Sequence, residues 1–136
     1  MKELFCGIVG SIGSALVYYI GGVDTILISL AVFMLVDYIS GIIVALVFKK
    51  SPKTDSGKIN SGASLKGLCK KLFMLSLVGI ANLLDGVLGT DFIRNGLVVA
   101  FLTNETISII ENASLMGIPV PKVLTDAIDI LNEKEC

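Results

Sequence analysis

The sequence predicts an all-α integral membrane protein. It reads as a single membrane domain over residues 1–136, with three to four transmembrane helices and a short C-terminal amphipathic helix. Three observations carry this. The chain is 54% hydrophobic and 17% charged, where soluble domains carry about 25% charged residues. Its apolar residues fall into blocks at about 4–20, 25–48, 72–90 and 96–118, of the length a helix needs to cross a bilayer core. Its basic residues gather in one intervening segment, as in a cytoplasmic loop.

The first block, LFCGIVGSIGSALVYYI, follows Met1, Lys2 and Glu3. It has one basic residue ahead of it and no clear small-residue cleavage site, and a second apolar run follows almost at once. It therefore reads as a retained span rather than a signal peptide. Gly7 with Ser11, and Gly10 with Ser14, place small residues on one side, a pattern suited to close helix packing. Gly21, Gly22 and Asp24 supply a turn.

The second block, TILISLAVFMLVDYISGIIVALVF, carries one central acid, Asp37. Its Leu, Ile, Val and Phe residues outweigh that acid by roughly 1 to 6 kcal/mol on the insertion scale, so it inserts unaided. Asp37 is either a satisfied core acid or a functional one, since ionisable groups inside membranes commonly serve function.

The segment 49–71 is rich in Pro, Ser, Gly and Lys and reads as a cytoplasmic basic loop. Lys49, Lys50, Lys53, Lys58, Lys66, Lys70 and Lys71 mark it as the inside loop, with headgroup binding as a further use. Asp24 and residues 91–94 then lie outside. If all four blocks cross, both termini are cytoplasmic, in agreement with Lys2 and Lys122.

The third block, LFMLSLVGIANLLDGVLGT, aligns Gly79, Asn82, Asp85 and Gly86 along one helical face. Glycines allow close approach and Asn can bond across a contact. The fourth block is the least oil-soluble. Glu105 and Glu111 alone cost roughly 5 to 7 kcal/mol if each Glu counts as an Asp. Asn104, Glu105, Ser108, Glu111 and Asn112 fall within an arc of about 120°, with Ile107, Ile109 and Ile110 outside it. Such a helix needs protein or water beside its polar face, which makes these five residues the candidates for lining a pore or holding a contact between protomers. Asp37, Asn82 and Asp85 are second candidates. Asn104-Glu105-Thr106 and Asn112-Ala113-Ser114 match a glycosylation pattern, read here as chance.

Pro119 and Pro121 stop the fourth block. In the tail, 119–136, Val123, Leu124, Ala127, Ile128 and Leu131 recur at helical spacing with acids opposite, as in a helix lying on a membrane surface. A net charge of -1 points to no nucleic-acid partner. Cys6, Cys69 and Cys136 are too dispersed for a disulfide framework or a metal site, and the chain has no histidine. No nucleophile–base pair, phosphate loop or cofactor motif is present in the sequence, so an enzyme is the least favoured class.

The chain resembles the phage lysis and toxin-secretion holins, the family related to the clostridial toxin-secretion holin and to a pneumococcal phage holin. The matching pieces run in order from about residue 30 to 131. They are Asp37-Tyr38-Ile39-Ser40-Gly41, the Ser-Gly-Lys loop, Gly67-Leu68-Cys69-Lys70-Lys71, Asn82-Leu83-Leu84-Asp85, Asn104-Glu105 with Ser108-Ile109-Ile110-Glu111-Asn112, and Gly117-Ile118-Pro119-Val120-Pro121. The resemblance implies a multi-pass protein of the bacterial cytoplasmic membrane that partners itself and membrane lipids. It would oligomerise and open lesions that release an endolysin or a large toxin, with no catalytic residue, metal or cofactor. Two other readings stand beside it. One is a small homo-oligomeric ion or proton transporter using Asp37 and Glu105; the other is a membrane anchor subunit of a larger complex.

Overall fold

The computed structural model describes residues 1–135, except the side chains of residues 128, 131, 132, 134 and 135. Cys136 and the tail side chains of Ile128 and Leu131 thus lie outside the described residues. Five helices follow one another: α1 (Lys2–Tyr19), α2 (Thr25–Ile43), α3 (Ser61–Leu88), α4 (Ile93–Leu115) and α5 (Lys122–Glu135). A π-helical turn, Val44–Phe48, extends α2. No strand occurs among the described residues.

Local chemistry sets the ends. Gly21 and Gly22 have φ of 87° and 88°, a left-handed conformation open to glycine at little steric cost, and they turn α1 into α2. Asp24 caps α2 by accepting from the Leu27 N–H at 3.1 Å. Asn60 caps α3, accepting from the Gly62 N–H at 2.7 Å and the Ala63 N–H at 3.3 Å. At the other end of α3, Gly89 is left-handed, with φ of 67°.

The basic segment is only partly loop. The helix starts at Ser61 instead of near Leu72, so Lys66, Lys70 and Lys71 are helical and the loop proper ends at Asn60. The Asn60 cap explains this, because it satisfies the first free N–H groups of a stretch whose glycines and serines read as coil. From there Leu65, Leu68, Leu72 and Leu75 continue a helical period into the apolar block.

The core is shared by α2, α3 and α4. Leu27, Leu30 and Met34 of α2 meet Met74 and Val78 of α3 and Val98 of α4, with Ile20, Phe101 and Leu102 packed around them. By contrast, α1 buries no residue. It is tied at its last turn, where the Tyr19 hydroxyl donates to the Ser76 carbonyl at 2.9 Å and Asn82 donates to the Tyr19 carbonyl at 3.1 Å. The outer surface is greasy, with Leu35, Leu46, Val47, Leu72, Phe73 and Val87 all exposed. Two helical stretches, Thr25–Phe48 and Ser61–Leu88, are long and apolar enough to cross a membrane. The C-terminal α5 leaves Val123, Leu124 and Ile130 exposed.

Candidate functional site

Buried polar groups collect at two levels of the three-helix core. Near the end where α1 meets α2, Arg94 sits at the start of α4 with its guanidinium almost enclosed, at 7% exposure. Its Nε donates to the Ile20 carbonyl at 2.6 Å and its Nη2 to the Gly22 carbonyl at 3.2 Å. Both Nη atoms bond the Asp24 carboxylate, at 2.8 Å and 3.2 Å. One side chain thereby fixes the whole α1–α2 turn, using the planar fork that Lys lacks. The Arg94 hydrogen bond holds the Asp24 carboxyl below its ordinary 3.8. Asp85 of α3 completes this end. It accepts from the Thr90 hydroxyl at 2.6 Å and from the Ile93 and Arg94 N–H groups at 3.0 Å and 2.9 Å. It therefore caps α4, whose own preceding residue, Phe92, offers no side-chain cap.

The second level is an ion triad. The Lys71 Nζ donates to Asp37 Oδ2 and to Glu105 Oε2, each at 2.7 Å. The exposures of the three side chains are 14%, 9% and 6%. One ammonium thus joins α2, α3 and α4. Asn112 of α4 supports Asp37, donating to its Oδ1 at 3.1 Å, to its carbonyl at 3.3 Å and to the Ser40 hydroxyl at 2.8 Å. No buried side-chain polar atom among the described residues lacks a hydrogen-bond partner. Below the triad, a cavity of about 110 Å³ reaches from the basic loop to Asp37, lined also by Lys53, Lys58, Glu111 and Asn112.

The five polar residues of the fourth block are divided by this packing. Glu105 is buried and Asn112 and Ser108 are half-buried on the inner side, while Asn104 and Glu111 are exposed. Residues 104 and 111 share one line along α4, and 105 and 112 the next line around, so the arc straddles the rim of the bundle. Asp37 belongs to the triad, and Asp85 and Asn82 to the Arg94 end. Gly79 lies against Tyr19, whose ring a Cβ there would strike. Gly10, Ser14 and Gly86 line an open cleft between α1 and α3. Ser11 returns its hydroxyl to the Gly7 carbonyl of its own helix, at 2.8 Å. Lys49, Lys50, Lys53, Lys58, Lys66 and Lys70 are exposed, and only Lys71 of the seven turns inward.

Two site residues escape a sequence reading that treats lysines as topology signals and polar turns as connectors: the inward role of Lys71 and the clamp of Arg94. A signal for Lys71 exists. Counted along α3, it shares the face of Met74, Val78 and Asp85. For Arg94 no such periodic signal is available.

A protein-family model described as the bacteriophage holin family matches residues 14–133, which include every residue of both polar levels. Among curated proteins, an uncharacterized protein of Halalkalibacterium halodurans is 40% identical over 129 residues, covering 90% of this chain and 90% of its own. An uncharacterized protein of Listeria innocua is 37% identical over 129 residues, with 94% and 86% covered. An uncharacterized 14.9 kDa protein of Clostridium perfringens is 34% identical over 127 residues, with 92% and 90% covered. No solved structure matches the chain.

Proposed function

The chain belongs to the bacteriophage holin family, and on that premise we propose that it accumulates in the cytoplasmic membrane, self-associates and opens lesions that release a cell-wall hydrolase or a toxin. Four helices cross in this proposal, with the basic loop and both termini inside. α1 and α4 cross beside the two helices that suffice by length and composition.

The observation that carries the reading is the outward line of α4. Asn104 lies at mid-helix with its side chain exposed, and Glu111 follows on the same line, also exposed. Lipid offers neither a hydrogen bond, and unsatisfied polar groups in hydrocarbon cost several kcal/mol each. Water or another protomer satisfies both. Glu105, by contrast, is already paired within the protomer, which lowers the insertion cost of α4 and lets one chain wait dispersed. A helix with one inward acid paired and one outward polar line suits a subunit that tolerates lipid alone and encloses solvent in company.

Release of graded solutes tests this. Purified protein in vesicles that carry a proton-sensitive dye tethered to the inner lipid surface, with a small fluorophore and a folded enzyme inside, is expected to pass protons and free both solutes once protein density in the membrane is raised. The cavity that reaches Asp37 favours a second reading, an ion or proton pathway. Passage of protons or ions with full retention of the fluorophore and enzyme would select that reading and overturn the lesion.

A further inference from the structure

We infer that the Asp37–Lys71–Glu105 triad is an autoinhibitory latch holding each protomer in its dispersed form, and that Lys71 sets the threshold for assembly. The inference rests on the lesion reading above and adds the residue that regulates it.

The latch works by differential stabilisation. A carboxylate enclosed among helices needs a counter-charge, and Lys71 supplies one to two acids at once, through bonds of 2.7 Å to each. A carboxylate beside water needs none. Lys71 therefore stabilises the closed protomer more than any state in which α4 turns Glu105 toward solvent, and only such a difference can bias an equilibrium. The bonds also span all three core helices, so α4 cannot rotate or part from α2 without breaking the ammonium's contacts. The latch is not overbuilt. Two acids share one base, which leaves a formal surplus negative charge inside the bundle, and low-dielectric surroundings make that surplus unfavourable. A five-residue π-helical turn begins at Val44, shortly beyond Asp37 and Ser40, and such turns are frequent at functional sites. Asn112 bonds to both of those residues and so couples this end of α2 to α4.

The test uses the full chain with Cys6, Cys69 and Cys136 replaced by Ser. Two readouts are taken at equal membrane protein: the onset time of release, and the labelling rate of Val98→Cys by a membrane-impermeant maleimide. Val98 is fully buried in the core, at 0% exposure, and needs no pore to report parting of the helices. Lys71→Met is expected to advance onset at least about twofold and to speed labelling by about fivefold or more. The reversed pair, Lys71→Glu with Glu105→Lys, is expected to bring both readouts back toward wild type. Unchanged onset and unchanged labelling in Lys71→Met overturn the latch. Where Lys71→Met does not reach the membrane, Lys71→Gln serves. It keeps a hydrogen-bonding side chain but no charge, and is expected to advance onset by about twofold or more; an unchanged or later onset overturns the inference. A wild type that releases nothing removes the lesion reading, while Val98→Cys labelling still decides the latch.

Discussion

The ion triad makes a quantitative prediction about stability that runs against the sign expected of ordinary charge removal. In Lys71→Met the ammonium is lost and two carboxylates remain. Each bonded oxygen lies 2.7 Å from the same nitrogen, so the two are at most twice that, about 5.4 Å, apart. At an effective dielectric constant of about 20, like charges at that separation repel by about 3 kcal/mol. Removing one partner of a buried pair costs about 3 to 5 kcal/mol in measured cases, which agrees. Asp37→Asn removes a charge as well, yet it leaves a neutral Lys71–Glu105 pair and an amide oxygen to accept from Lys71, at the loss of the Asn112 bond to the other carboxylate oxygen. It is expected to cost about 1 to 2 kcal/mol, less than Lys71→Met. Reversible unfolding in mixed micelles, driven by added SDS and followed by far-UV circular dichroism, gives both numbers. Equal stability of Lys71→Met and wild type would overturn this, because it would mean that the triad is hydrated and its charges already screened.

Three further outcomes follow from the opposite end of the bundle. Gly79→Ala places a methyl group against the Tyr19 ring; overpacking of this kind costs about 1 to 3 kcal/mol, and the lost Tyr19–Ser76 bond should speed limited proteolysis at the α1–α2 turn. Asp85→Ala removes the two bonds that cap α4 and the Thr90 bond beside them, so amide hydrogen exchange in the first turn of α4 should rise while that of α2 stays unchanged. Asp24 is held below 3.8, chiefly by the Arg94 bond. A depressed carboxylate contributes stability above its unfolded value that is lost as pH falls through the lower folded value. Acidification below 3.8 should therefore loosen the α1–α2 turn, and Arg94→Met should flatten that acid limb in a stability-against-pH series.

Much of the helix plan was legible because hydrophobic blocks and proline or glycine stops act locally. The second block is the clearest case, since its span of 25–48 is one continuous helical run whose last turn is π-helical. The start of α3 was not legible in the same way, because a single Asn60 cap decides it against a coil-like composition. The polar arc of α4 was visible as periodicity, but periodicity gives a face and not what it faces. Whether Glu105 meets water, lipid or a cation depends on where the rim of the bundle cuts that arc, and that depends on the packing of α2 and α3 against it. Lys71 shows the same limit. Among seven clustered lysines its charge carries no distinguishing mark, and only its place on the inward face of α3 separates it from Lys70.

In the proposed assembly, the outward line of α4 meets solvent only when protomers gather. Single cysteines placed along α4 in a background free of Cys6, Cys69 and Cys136, and exposed to a membrane-impermeant thiol reagent before and after assembly, test it most directly. Positions 104 and 111 are expected to react after assembly, with position 104 protected before it and positions 107 and 110 less reactive throughout. Protection of position 104 in both states, in membranes that have become permeable, would contradict it.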